Sequence, residues 1–277
     1  FAACLPRPLR AANDDFMPEH HEQHVKPDDA GAAESAGEIA QPTETFLAAC
    51  EEAGIAFEPG ERERYGAFLR LLLAANERFN LTAIRDRESA WMRHIFDSLS
   101  LLPVIMSLGG VQRIADIGSG GGLPAIPLAI ALPDVRFTLI EATGKKATFL
   151  EQTTAELGLK NVAVVNDRAE VAGQDRETHR ERYDIVTARA VGPLPVLLEL
   201  TVPLAREGGL VLAIKGEKAG EEIEAAKEAL HALHSTVIDQ LRGETGTIVV
   251  IEKRRATPKL YPRRPGEPKR APIGGSA

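Results

Sequence analysis

One stretch constrains this chain more than any other: Arg113-Ile114-Ala115-Asp116-Ile117-Gly118-Ser119-Gly120-Gly121-Gly122-Leu123-Pro124. Ile114, Ala115 and Ile117 form the short apolar run expected of an inner parallel strand. The glycines free the backbone for angles that a side chain forbids and let a ligand approach the main chain. Pro124 is expected just inside the following helix, where its missing N–H costs nothing. Strand, glycine turn and helix start, in that order, predict a nucleotide-type site.

Details of the stretch choose among ligands. The dinucleotide fingerprint Gly-x-Gly-x-x-Gly fits at Gly118 and Gly120 and fails at Leu123. Asp116 stands two residues before the first glycine, where an acid suits a cationic amino-acid end better than a pyrophosphate. Glu141 closes the next apolar run, Val135 to Ile140, and an acid there accepts from ribose hydroxyls. The pair Asp116 and Glu141 favours S-adenosylmethionine over a nicotinamide dinucleotide.

From Val111 the pattern alternates strand and helix, which predicts a parallel, doubly wound α/β sheet. Strands are expected at 111–117, 135–141, 161–165, 183–189 and 208–215. Helices are expected at 123–131, 143–158, 193–205 and 217–234. Two further strands, 237–241 and 247–253, flank a turn sequence from Arg242 to Gly246 and read as an antiparallel hairpin. Five parallel strands with a terminal hairpin make the Rossmann-like class I methyltransferase plan. The domain reading is a disordered acidic leader over 1–42, a helical N-terminal cap over 43–108, the methyltransferase domain over 109–254 and a basic tail over 255–277. In the cap, Thr43 is placed to start a helix, and further helices are expected near 59–79 and 87–102.

The formal charge of −7 argues weakly against nucleic acid, but charge is unevenly spread. The end of the chain holds Lys253, Arg254, Arg255, Lys259, Arg263, Arg264, Lys269 and Arg270 against Glu267 alone. Such a run is either a phosphate-contacting arm or a solvated charge run. No stretch approaches the ~18 apolar residues that span a membrane. Cys4 and Cys50 have no partner spacing, so neither a disulfide framework nor a zinc site is expected, and both are expected outside the core. His20, His21 and His24 read as a polar spacer, so no metal is expected. The simple compartment is a reducing cytoplasm.

The motifs together resemble one family. Asn80-Leu81-Thr82-Ala83-Ile84-Arg85-Asp86, Arg93-His94-Ile95-Phe96-Asp97-Ser98-Leu99, Asp116 to Pro124, Gly144-Lys145-Lys146, Thr187-Ala188-Arg189-Ala190 and Leu212-Ala213-Ile214-Lys215-Gly216 closely resemble the bacterial RsmG family, also called GidB. Pro262-Arg263-Arg264-Pro265-Gly266 is similar as well. The resemblance implies an enzyme that uses S-adenosylmethionine to make 7-methylguanosine in 16S rRNA, near the decoding site of the small ribosomal subunit. It implies cofactor contacts at Gly118, Leu123, Glu141, Ala142, Thr143, Ala169, Glu170 and Arg189, with Asp116 and Gly120 near the cofactor.

Guanine N7 carries a lone pair and no proton, so its methylation needs positioning rather than a general base. That accounts for a sequence with no evident catalytic dyad. No cysteine beyond Cys50 is available for C5 chemistry on cytosine. The catalytic candidates are Arg189 and Lys215. The expected RNA contacts are Arg93, His94, Lys215, Arg254, Arg255, Arg263 and Arg264, and the protein is expected to act as a monomer. Other readings stay open at this level: a class I methyltransferase of another RNA, a protein or a small molecule, or a ribosome-binding protein without catalysis.

Overall fold

A computed structural model describes residues 38–243 and 246–275. Most of the expected leader, with Cys4 and the histidine run, lies outside the described residues. The core of the fold is a seven-stranded sheet: β1 (Arg113–Ile117), β2 (Arg136–Ile140), β3 (Val162–Val165), β4 (Tyr183–Arg189), β5 (Ala205–Lys215), β6 (Ser235–Arg242) and β7 (Thr247–Lys253). Their order is β3-β2-β1-β4-β5-β7-β6. The first five strands are parallel, and β7 pairs antiparallel with both β5 and β6. The order reverses between β1 and β4, so their carboxyl ends flank the crevice where ligands bind in open α/β sheets.

Alternation along the strands sorts the core into two layers. Ile114, Leu139, Ile185, Leu212 and Val250 face one layer, with the cap helices Glu44–Glu52 and Glu61–Phe79 and the helices Ala125–Ala131 and Gly144–Glu156. Ala115, Ile140, Val186, Ala213 and Val249 face the other, with helices Ala169–Gln174, Leu194–Thr201, Ala219–Ala225 and Lys227–Ala232.

Several boundaries differ from the sequence pattern for physical reasons. Pro124 is the N-cap rather than the first helical residue, its peptide bond to Leu123 is cis, and the helix begins at Ala125. The helix expected over 193–205 ends at Thr201, because Pro203 cannot continue it. Ala169–Gln174 is a helix of six residues, too short to display a 3.6-residue period. Residues 87–99 are helical as expected, but Trp91–Phe96 form a wider π turn within them.

Cys50 belongs to the core, not outside it. It is fully buried beside Phe46 in the cap layer, and burial pushes its thiol up to about 12. Thr43 caps the first cap helix, its hydroxyl accepting from the Phe46 amide at 3.2 Å. Residues 39–42, within the expected leader, also contact the cap. The Trp91 indole N–H donates to the Ile39 carbonyl at 2.9 Å, and Arg87 donates to the carbonyls of Gln41 and Pro42. A buried indole needs an acceptor, and these residues supply it.

Candidate active site

Strand alternation builds the floor of the site. Asp116 of β1 and Thr187 of β4 are register partners, and both project toward the cap layer. The Thr187 hydroxyl donates to Asp116 Oδ1 at 2.7 Å. Asp116 is 1% exposed, and Oδ2 has no hydrogen-bond partner among the described residues. Burial pushes its carboxyl up to about 7, against the opposing pull of Thr187, Ser119 and the nearby Arg189.

The glycine loop crosses above Asp116. Gly118, Gly120 and Gly122 all have positive φ, the last at 86°. A Cβ on Gly122 would lie 2.4 Å from Ile126 Cδ1 and 3.2 Å from Leu150 Cδ2. Gly122→Ala therefore combines a left-handed backbone with overpacking. It is expected to cost about 2–4 kcal/mol, read as a lower urea midpoint at unchanged m-value.

Glu141, just beyond β2, holds the loop's shape. Its Oε2 accepts from the Gly120 amide at 2.9 Å and its Oε1 from the Thr143 amide at 2.8 Å. A carboxylate oxygen accepts more than one hydrogen bond, so Glu141 keeps capacity for a ligand's hydroxyls. Asn166, after β3, donates to the Glu141 carbonyl at 2.8 Å and fixes its backbone. Leu123 is buried in the loop, Ala142 and Thr143 are exposed beside Glu141, and Ala169 opens the helix after β3. The Glu170 side chain is turned away, accepting from the Gly266 amide at 2.7 Å.

Arg189 ends β4 on the same face as Thr187. Its Nη1 donates to the Arg93 carbonyl at 2.6 Å and its Nη2 to His94 Nδ1 at 3.3 Å. A guanidinium only donates, so Nδ1 carries no proton and the Nε2–H donates to Thr82 Oγ1 at 3.0 Å. Burial, with Arg189 beside it, pushes His94 down to about 4 and keeps the ring neutral. Thr82 in turn donates its amide to Asn76 of the cap helix Glu61–Phe79. A polar chain thus ties the edge of β4 to the cap through the π turn, a distortion that recurs at functional sites. Asp97, one turn on, has its carboxyl pushed up to about 6 by burial, with Arg189 and Arg93 pulling the other way.

The structure brings together Asp116, Gly118, Gly120, Leu123, Glu141, Ala142, Thr143, Ala169, the Glu170 backbone and Arg189, with the exposed Arg93 at the rim. Thr187, Asn166 and Thr82 complete the arrangement and were not among the expected residues. The other expected contacts lie elsewhere or are occupied. His94 is 1% exposed with both ring nitrogens engaged, so it holds Arg189 rather than meeting a ligand. Lys215 is one residue past Ile214, the register partner of Arg189, and alternation turns it to the opposite face. There it donates to the Gly192 carbonyl at 2.7 Å and pairs with Glu222 at 2.6 Å. Arg254 and Arg255 follow β7, whose end lies beside the start of β5, so they occupy the opposite edge of the sheet. Arg263 forms a forked pair with the fully buried Glu199, and only Arg264 beside it stays exposed. The basic run is strapped to the body rather than extended as an arm.

The crevice offers a buried carboxylate with one free oxygen, a second acid with spare acceptor capacity and glycine amides at close approach. A molecule with an ammonium and a ribose diol satisfies all three. Among the described residues no group of His, Cys, Asp and Glu could hold a metal, and no helix is long and apolar enough to cross a membrane.

Comparison with known proteins shows the family and the fold. Residues 61–245 match the family model described as rRNA small subunit methyltransferase G. The chain is 41% identical to ribosomal RNA small subunit methyltransferase G of Bacillus pumilus, over 84% of this chain and 99% of that protein. It is 44% identical to the protein of the same name from Sorangium cellulosum, over 80% and 92%. Among solved structures, an O-methyltransferase from Bacillus cereus, in complex with SAH, aligns at a TM-score of 0.51 and 21% identity. The alignment covers 68% of this chain and 91% of that one. At that identity the likeness concerns the fold alone.

Proposed function

The chain belongs to the rRNA small subunit methyltransferase G family, and on that premise we propose that it methylates N7 of a guanine in 16S rRNA near the decoding site, using S-adenosylmethionine. It acts as a monomer in the cytoplasm. The observation that carries the reading is the unpartnered Oδ2 of Asp116, a buried acceptor at the crevice floor.

When bound, S-adenosylmethionine supplies an electrophilic methyl group on a cationic sulfur. Asp116 takes the ammonium of its amino-acid end, and Gly118 and Gly120 allow the main chain to come within contact. Glu141 accepts from the ribose hydroxyls, with Ala142 and Thr143 alongside. Ala169 and the backbone of Glu170 flank the adenine. Arg189, clamped from the cap, closes the crevice on the substrate side.

No residue has to remove a proton, because the N7 lone pair is free in neutral guanine. As positive charge moves onto the guanine ring, the acids Asp97, Asp116 and Glu141 make the crevice tolerant of a cation. Catalysis is then in-line positioning within an enclosed site.

The test is transfer of labelled methyl from S-adenosylmethionine to small subunits that lack the modification, followed by nucleoside mass spectrometry. The expected product is 7-methylguanosine. Cofactor binding without label in the RNA would reassign the substrate, and absence of cofactor binding would overturn the reading of the crevice.

A further inference from the structure

The edge of the sheet opposite the crevice carries a cavity of about 430 Å3 that the reaction does not use. Arg176, Arg180, Arg182, Lys259, Glu181 and Thr257 are among its lining residues. Arg180 forms its back wall. The guanidinium is buried and donates to the carbonyls of Gly173, Thr257 and Tyr261 at 2.7–2.8 Å, which fixes a positive charge in place. Glu181 pairs with Lys253 rather than with the exposed cations, its Oε1 accepting from Lys253 at 2.8 Å and from the Thr257 amide at 3.0 Å. Thr257 is 5% exposed, and its hydroxyl has no partner among the described residues.

Arg176, Arg182 and Lys259 stand exposed around this wall, and among the described residues they make no ion pair. Arg255 is exposed on the adjoining segment. Three cations without ion-pair partners, over a fixed fourth, form a surface for an anion with several acceptor oxygens. In a chain with net charge −7, such a local concentration is not a by-product of composition.

Position selects the partner. β4 starts at Tyr183, next to the cavity-lining Arg182, and ends at the crevice with Arg189, six steps of ~3.3 Å, or about 20 Å. A short loop around one guanine does not bridge that distance, whereas a folded RNA does. We propose that the cavity is a second docking point for rRNA, in which Arg176, Arg182 and Lys259 hold backbone phosphates of a segment remote from the methylated guanine. The proposal rests on the rRNA methyltransferase reading above. It gives the cations near the end of the chain a role at the far edge, where the expected arm at the crevice has none. Recognition here is by charge and shape, without base contacts.

The test uses the full chain with Arg176→Glu, Arg182→Glu and Lys259→Glu combined, and the corresponding triple alanine variant in case charge reversal disturbs folding. Substrates are unmodified small subunits and protein-free 16S rRNA. The expected result is a KM at least tenfold higher for both substrates near 0.1 M salt, with kcat and S-adenosylmethionine affinity unchanged. The slope of log kcat/KM against log salt should shrink by about two to three, one for each phosphate that the variant no longer neutralises. Unchanged KM and slope overturn the proposal. So does weakening on subunits but not on protein-free RNA, which would assign the cavity to an acidic protein. If the wild-type protein methylates neither substrate, the functional reading fails. Filter binding then still decides the cavity, because equal affinity of wild type and variants for the same rRNA overturns it.

Discussion

Asp116→Asn is expected to weaken S-adenosylmethionine binding about 30- to 100-fold and, above pH 7, to stabilise the fold. The loss follows from replacing a carboxylate oxygen by an amide N–H that faces the ligand's ammonium. A hydrogen bond to a charged group contributes ~1.5–3 kcal/mol, and the new donor opposes the cation. The gain follows from linkage. Burial raises the Asp116 carboxyl from its ordinary 3.8 to about 7 in the folded protein. Between those values the folded state binds the extra proton, so stability falls as pH rises through the window, and the full penalty is present above it. Asparagine does not titrate and removes the penalty, which is of the order of a few kcal/mol. The same argument makes ligand binding release a proton. Wild-type affinity should fall as pH drops below 7, toward tenfold per unit, while the variant's weak affinity stays flat. Calorimetry at pH 6 and 8 in buffers of different ionisation enthalpy, with urea unfolding over pH 5–8, checks both halves. A variant that binds as tightly as wild type would remove Asp116 from the site.

The carboxyl edge of the sheet was legible in the sequence because its signals are local. An apolar run followed by Asp116 and glycines fixes a strand, a turn and a buried acid within a dozen residues. Glu141 is read the same way from the end of the next run. What depends on the opposite side of a strand was legible only in part. Ile185-Val186-Thr187-Ala188-Arg189 shows a polar residue inside an apolar strand, and period-two alternation already pairs Thr187 with Arg189. Lys215 lies an odd number of steps from the β5 position that sits beside Arg189, so its facing depends on register, which one strand alone does not state. The cations from Lys253 onward read as one charge run. Only the fold separates the fully buried Lys253, held by Glu181 and the Ala205 carbonyl, from Arg263 on Glu199 and from Lys259 on the far-edge cavity. Charge patterning carries no information about which acid 64 or 72 residues away will meet a given cation.

Arg189→Ala and Arg189→Lys are both expected to lower kcat/KM about a hundredfold or more, and the lysine variant should rescue little. Arg189 makes two directed bonds, to the Arg93 carbonyl and to His94 Nδ1, from one planar fork. A lysine keeps the charge but presents a single point donor, so it does not bridge both acceptors. A hydrogen bond to a charged group contributes ~1.5–3 kcal/mol, and truncation removes both bonds. The pH profile separates a role at the site from a merely structural one. Arg189 holds the carboxyls of Asp97 and Asp116 below where burial alone would put them. Its removal raises both, so the acid limb of the activity profile moves to higher pH in the alanine variant. His94 responds in the same sense. Without the adjacent guanidinium its ring rises from about 4 and becomes easier to protonate at Nδ1, while the Nε2–H keeps its bond to Thr82. A variant that only loosened the cap would lose activity at all pH values alike. Lys215→Ala is the internal comparison, because it frees Gly192 and Glu222 on the other face and leaves the acids near Arg189 untouched. It should lower stability without moving the acid limb. If Arg189→Lys retains full activity and an unshifted profile, the fork is not needed, and charge alone accounts for the residue at the end of β4.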